Sequence, residues 1–282
     1  MKILKPINNN IVSALDDDGR EVVVIGKGLG YKARQGTDIP PEKVDKIFVM
    51  SNQNNMDRLK DLLTSFPTEY IELTDEILIY AKTHLGKRLN ETAYFTLADH
   101  ISFAVTRHNK GMEFQNILLL EVRRFYPKEF EVGMYALRLM KKKLNVDMAE
   151  DEAASIAMHI LNAEYDISIN ETFRATKLMD QIFAAITEDD KYTPSPDNYR
   201  HERFFTHLRY LAQRIVKAEP PPQCVDDGFF EVLNARYPEE AQCALKIAKI
   251  IEQSYQHSLS KEDLSRLIIH IRHVRLKTGE KQ

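Results

Sequence analysis

A repeat at one fixed spacing constrains this chain more than any other feature. Tyr126-Pro127 recurs as Tyr237-Pro238, 111 positions later, and His159-Ile160 recurs as His270-Ile271 at the same offset with no gap between the two matches. Seven residues before each of these histidines stands an acid, Glu152 in one copy and Asp263 in the other. An earlier pair, His100 and His207, lies 107 positions apart, so the second copy carries four extra residues, which the Pro220-Pro221-Pro222 loop accommodates. Self-similarity on this scale means that one structural unit is used twice. The 282-residue chain is therefore expected to comprise an N-terminal domain over 1–56, a linker over 57–65, and two homologous domains over 66–170 and 171–282.

The repeated part reads as helical. Ile77, Leu78, Ala81 and Leu85 form a stripe opened by Thr74-Asp75-Glu76 and stopped at Gly86. Similar stripes run through 95–108, 134–144, 150–163, 173–186, 203–216, 241–255 and 261–275, with Pro194, Pro196 and the triple proline in loops. The first fifty residues differ. Val22 to Ile25 is a β-branched run, Ile11 to Leu15 is a second apolar stretch, and Asp16-Asp17-Asp18-Gly19 between them signals a turn. Ile3 and Ile7 bracket a first strand, and Ile47, Phe48 and Val49 close the region. The expected fold is multidomain α+β: a small four-stranded antiparallel sheet, then two homologous all-α bundles. So small a sheet is expected to need burial by a partner. Ser51 to Asn55 is polar and reads as linker, and Lys32 to Gly36 as strand and turn.

Composition excludes several classes of function. With 43% hydrophobic and 29% charged residues the chain can build packed cores, and its net charge of −3 supplies no global field for nucleic acid, so any such site is local. The two cysteines, Cys224 and Cys243, are 19 apart, which fits neither a zinc site nor a disulfide framework and points to a reducing cytoplasm. Runs such as Val22 to Ile25 and Ile117 to Leu120 fall far short of the roughly 20 apolar residues of a membrane span. The opening Met-Lys-Ile-Leu-Lys meets three asparagines at once, so no signal peptide is expected.

Chemistry concentrates in two places. His100 lies three after Leu97 and four before Ala104, and His159, His207 and His270 are set the same way against Ile156 and Ala163, Phe204 and Leu211, and Leu267 and Val274. Residues three and four apart share a helix face, so all four imidazoles stand on or beside an apolar stripe. Metal binding and phosphorylation are both open at this point. No His-Glu-x-x-His, Glu-x-x-His or Cys-x-x-Cys spacing occurs, whereas a neutral imidazole is a competent nucleophile and a phosphoryl group would add about −1.5 to −2 charges. His84, His108, His201, His257 and His273 have no counterparts between the copies and read as surface or helix-end residues. The second place is the glycine segment. Gly26-Lys27-Gly28-Leu29-Gly30-Tyr31 opens no helix and holds no Gly-Lys-Ser/Thr, so it is not a nucleotide loop. With the amides of Asn8, Asn9 and Asn10, the cations Lys5, Lys27, Lys32 and Arg34, and the Tyr31 ring, it reads instead as a nucleic-acid surface, and residues 1–36 carry six basic against four acidic residues.

Lys5-x-x-Asn8-Asn9-Asn10 and Gly26 to Tyr31, followed by the repeat with Asp99-His100, Tyr126-Pro127, Ala157-Met158-His159, His207 and His270, resemble the bgl/sac/lic-type transcriptional antiterminators over essentially the whole chain. The resemblance implies a co-antiterminator RNA-binding domain that works as a homodimer, then two PTS-regulation domains. It implies binding to a hairpin in nascent leader mRNA that keeps a terminator from forming ahead of a sugar-utilisation operon. The implied RNA contacts are Lys5, Asn8, Asn10, Gly26, Lys27, Gly28 and Tyr31, with Tyr31 where the family usually has phenylalanine. The implied phosphoacceptors are His100 and His159, inhibited through the sugar-specific enzyme II, and His207 and His270, activated through HPr in many members. Arg203, Arg209, Arg272 and Arg275 flank the last two histidines as expected counter-charges. Such a protein is a cytoplasmic regulator with no catalytic residues, metal or cofactor. Two alternatives are a DNA-binding activator with the same regulatory domains, which would need a helix-turn-helix where only strands are read, and a metal-dependent hydrolase built on the four histidines.

Overall fold

The computed structural model describes residues 1–50, 52–65, 67–112, 114–188, 198–221 and 228–275; Pro194, Pro196, Pro222 and Cys224 lie outside the described residues. Strands β1 (Lys2–Asn8), β2 (Ile11–Leu15), β3 (Glu21–Ile25) and β4 (Lys46–Phe48) form one antiparallel sheet in chain order, as expected. The register sets Val12 opposite Val24 and Ala14 opposite Val22. These four pack with Ile3, Leu29 and Ile39 into a core on one face. Val23 between them points to the other face and is also fully buried.

Helix α1 (Gln53–Ser65) explains that second burial. It lies against β1 and β3 and buries Met56, Leu59, Leu62 and Leu63. Glu21 on β3 fastens it, pairing with Lys60 at 2.6 Å and accepting from Gln53 Nε2 at 2.9 Å. Residues 57–65, expected as a linker, are thus a packed helix, because their leucines recur at helical spacing and find an apolar sheet face. Part of the burial expected from a partner comes from the chain itself. Lys32 to Gly36 holds turn but no strand: Lys32 (φ 56°) and Gly36 (φ 81°) are left-handed, which an extended ladder excludes.

Among the described residues ten further α-helices follow: α2 (Thr68–Leu85), α3 (Thr92–Asn109), α4 (Leu119–Phe125), α5 (Pro127–Leu144), α6 (Glu150–Tyr165), α7 (Ile169–Thr187), α8 (Asn198–Val216), α9 (Gly228–Arg236), α10 (Pro238–Tyr255) and α11 (Lys261–Arg275). They fall into two compact units, 1–116 with 127–166, and 117–126 with 167–282. In the first, the sheet joins the bundle through a Lys46–Asp75 ion pair and an edge-on Phe48–Tyr94 contact at 5.3 Å. Helices α5 and α6 cross closely at Gly133, where a Cβ would lie 2.1 Å from the Ala153 carbonyl oxygen. Residues 117–126 group with the second unit, although the expected boundary assigns them to the first bundle. The reason is local. Phe125 packs edge-on against Phe183 and Phe205, and the Tyr126 hydroxyl donates to Met179 Sδ at 3.2 Å.

Candidate functional site

The N-terminal surface is organised by backbone and asparagine hydrogen bonds. The β1–β2 turn meets the loop after β3. Asn8 Oδ1 accepts from the Asn10 N–H and Asn10 Oδ1 from the Gly28 N–H, each at 2.9 Å. Backbone bonds from Gly26 to Asn10 and from Gly30 to Asn9, at 2.9 and 3.0 Å, lock the loop onto the turn. The glycines are required by space. A Cβ on Gly30 would lie 1.8 Å from the Asn8 carbonyl oxygen, one on Gly26 1.8 Å from that of Lys43, and Gly28 is left-handed at φ 72°. Lys5, Asn8, Asn10, Lys27, Gly28 and Tyr31 are all exposed, Tyr31 to 64%, with Lys32 Nζ 5.4 Å from its ring centroid. Gly26 is different: it is buried, and its place is in the frame that shapes the loop.

The four histidines form two pairs, one inside each unit. His100 on α3 and His159 on α6 set their ring centroids 4.6 Å apart, and His207 on α8 and His270 on α11 set theirs 4.4 Å apart. All four are half-buried. Burial, and then the neighbouring His100 ring, pushes His159 down to about 3. His207 is pushed to about 4 by burial and the Arg266 charge, with Asp263 opposing. His270 is pushed to about 4 by burial, then by His207, His273, Arg203 and Arg266. These three imidazoles are therefore neutral near pH 7 and keep a nitrogen lone pair.

Each pair is flanked by an arginine and the acid noted in the repeat. Glu152 Oε2 lies 3.0 Å from His100 Nε2, and its other oxygen takes the Arg107 guanidinium. Asp263 Oδ1 lies 2.8 Å from Arg214, both side chains under 5% exposed. Arg107 and Arg214 were not singled out by the sequence, yet each follows the first histidine of its copy by seven residues, so the offset of 107 could have found them. The expected counter-charges are corrected in part. Arg203 and the unanticipated Arg266 act on His270. Arg272 pairs with Glu240 at 3.2 Å, Arg275 donates to the Ile186 carbonyl at 3.0 Å, and Arg209 donates to the Phe125 carbonyl at 2.8 Å. Among the described residues, no group of three or more His, Cys, Asp or Glu side chains is placed to hold a metal ion.

Comparison with known proteins follows the same division. Residues 1–57 match the family described as CAT RNA binding domain, and residues 75–163 and 180–274 each match the PRD domain. The transcription antiterminator LicT of Bacillus subtilis is 37% identical, over 97% of this chain and 99% of its own length. A beta-glucoside operon antiterminator of Dickeya chrysanthemi is 36% identical over 99% of each. The crystal structure of GlcT CAT-PRDI is similar with a TM-score of 0.51 and 28% identity, covering 58% of this chain and 97% of that one.

Proposed function

Because the chain belongs to the family of transcriptional antiterminators that join a CAT RNA-binding domain to PRD domains, we propose that it is an RNA-binding antiterminator whose activity is set by phosphorylation of its paired histidines. On this reading residues 1–56 bind RNA, the helix through 57–65 connects, and 66–170 and 171–282 are the regulatory domains. A dimer of the chain binds a hairpin in the nascent leader mRNA and keeps the overlapping terminator from forming. Lys5 and Lys27 meet phosphates, Asn8, Asn10 and the Gly28 backbone meet base edges, and Tyr31 stacks. Gly26 takes part by holding the loop.

One observation carries the regulatory half of this reading. The same two-histidine arrangement is built twice, in matched helical positions, with ring centroids 4.6 and 4.4 Å apart. A packing role would not require the same imidazoles to meet in both copies. A neutral, half-buried histidine that accepts a near-divalent phosphoryl group undergoes a change large enough to repack an interface. The histidines are thus substrates of other proteins' phosphotransfer, and the chain is a regulator rather than an enzyme. His100 and His159 receive phosphate from the sugar-specific enzyme II and switch activity off. His207 and His270 receive it from HPr and switch activity on. The work is cytoplasmic, and no described helix is long and apolar enough to cross a membrane.

The test is a gel shift with the leader RNA just upstream of the gene. The wild-type chain is expected to shift it, and Asn10→Ala to bind at least about tenfold more weakly, since the amide that shapes the loop is gone. No shift by the wild-type chain would overturn the reading.

A further inference from the structure

We propose that the matched histidines His100 and His207 accept the phosphoryl group on different imidazole nitrogens, His100 on Nδ1 and His207 on Nε2, and that His159 shares the Nε2 choice of His207. The proposal rests on the reading of these histidines as acceptors given above. A neutral imidazole has one nitrogen lone pair, and only that nitrogen can attack phosphorus. At His100 the choice is made by Glu152. A carboxylate only accepts hydrogen bonds, so His100 Nε2, 3.0 Å from Glu152 Oε2, carries the proton and the lone pair is on Nδ1. At His159 and His207 the constraint is reversed. Nδ1 of each is enclosed by protein and has no hydrogen-bond partner among the described residues. A donor cannot reach it, so the exchange runs through Nε2. Burial holds both rings neutral, which keeps the lone pair available.

The difference between the copies traces to two of the positions at which their helix starts differ. Glu152 and Asp263 are both the third residue of their helices, and the residues just before those helices are Ala149 and Ser260. Ser260 and Asp263 form a reciprocal cap: the Asp263 N–H donates to Ser260 Oγ at 3.2 Å, and Asp263 Oδ2 accepts from the Ser260 N–H at 3.1 Å and its Oγ–H at 2.7 Å. With Oδ1 turned to Arg214, this carboxylate is fully engaged. Ala149 offers no side-chain cap. Glu152, one methylene longer, instead turns inward and reaches Arg107 with one oxygen and His100 with the other. Glu152 is thus a positioning residue for His100, and Asp263 leaves His207 unpinned.

The transfer balances without a proton leaving. The lone pair of the acceptor nitrogen forms the new N–P bond. The donor protein's P–N or P–S bond, on a phosphohistidine or phosphocysteine, breaks and its electron pair stays with the donor. The ring proton remains on the other nitrogen, at His100 as the Nε2–H facing Glu152.

The experiment uses the full chain labelled with ¹⁵N-histidine and phosphorylated with phosphoenolpyruvate, enzyme I, HPr and the sugar-specific enzyme II. Phosphorus–nitrogen couplings then identify the modified nitrogen. Two variants isolate single acceptors: His159→Gln/His207→Gln/His270→Gln leaves His100, and His100→Gln/His159→Gln/His270→Gln leaves His207. The expected result is the Nδ1 isomer at His100 and the Nε2 isomer at His207, with both isomers present in the wild-type chain. Ala149→Ser/Glu152→Asp, which gives the first bundle the cap of the second, is expected to move the His100 product toward Nε2 by at least about tenfold in isomer ratio. A single isomer throughout the wild-type chain, or an unchanged ratio in the capped variant, would overturn the proposal while leaving the acceptor reading in place. Absence of phosphohistidine at all four positions would overturn both.

Discussion

Tyr31, 64% exposed beside Lys27 and Gly28, is an aromatic face held where a base can lie on it. Loss of a stacked ring costs about 1–3 kcal/mol, so Tyr31→Ala is expected to weaken leader-RNA binding by roughly tenfold or more, and undiminished binding in a filter assay would remove the stacking role. Gly30→Ala drives a Cβ to 1.8 Å from the Asn8 carbonyl oxygen. Backbone faces backbone there, so the loop must move, and RNA affinity is expected to fall while the helical circular dichroism is retained. Wild-type affinity in that variant would show that the loop's shape is immaterial. His159 makes a separate prediction about pH. Its folded value of about 3 lies below the unfolded value near 6.5, so the unfolded state binds more protons in between. Its contribution is complete above pH 6.5 and is lost as pH falls, on the order of 1 kcal/mol per pH unit. His159→Gln should flatten that slope in acid-unfolding curves, and parallel curves would contradict the burial argument. The histidines are legible in the sequence because they repeat and follow a helical spacing, and the asparagine–glycine loop because glycines, amides, cations and an aromatic ring cluster there. Arg107 and Arg214 share the repeat but carry no such signal, since an arginine on a helix is ordinarily solvated and only the fold shows which acid it meets.

The paired helices of each bundle are fixed by more than apolar stripes. Arg214 on α8 and Asp263 on α11 are 2.8 Å apart and almost fully enclosed. Removing one member of such a pair leaves an uncompensated buried charge, so Arg214→Met is expected to destabilise the chain by about 3 kcal/mol in denaturant titration. A loss below about 1 kcal/mol would mean that the pair adds nothing over its desolvation cost. Periodicity served well where a helix is long and faces one core, as for α3, α5, α6, α7, α8, α10 and α11. It failed for α1, α4 and α9. Gln53-Asn54-Asn55 opens α1 with turn-like polar residues, and its leucines matter only once the sheet's second face is there to receive them. Helices α4 and α9 span 7 and 9 residues, too few turns for a periodic signal. The grouping of 117–126 with the second unit was also hidden, because the preference of Phe125 for Phe183 and Phe205 is a tertiary choice.

At the scale of the whole molecule, one bundle design is used twice with different electrostatics around the paired histidines. The first pair has Glu152 hydrogen-bonded to His100, with Arg107 on its other oxygen, so a phosphoryl group on His100 would arrive beside a carboxylate. The second pair has Arg203 and Arg266 acting on His270, while its acid, Asp263, is engaged by Arg214 and Ser260, so a phosphoryl group on His270 would arrive among cations. On the proposed reading, repulsion in the first case and attraction in the second would give phosphorylation opposite signs. In a reporter strain, His100→Ala or His159→Ala is expected to make read-through insensitive to withdrawal of the sugar, and His207→Ala or His270→Ala to lower it wherever HPr activates. All four behaving alike would refute the split. The order of the chain, sheet first and repeat after, was readable from its residues, whereas the seating of α1 on the sheet was not. The central claim, that this chain converts RNA binding into read-through, is tested most directly by single-round transcription across the operon leader with purified chain. Read-through is expected to rise with the wild-type chain and to stay at its basal level with Asn10→Ala; read-through that does not respond to the wild-type chain would contradict this function.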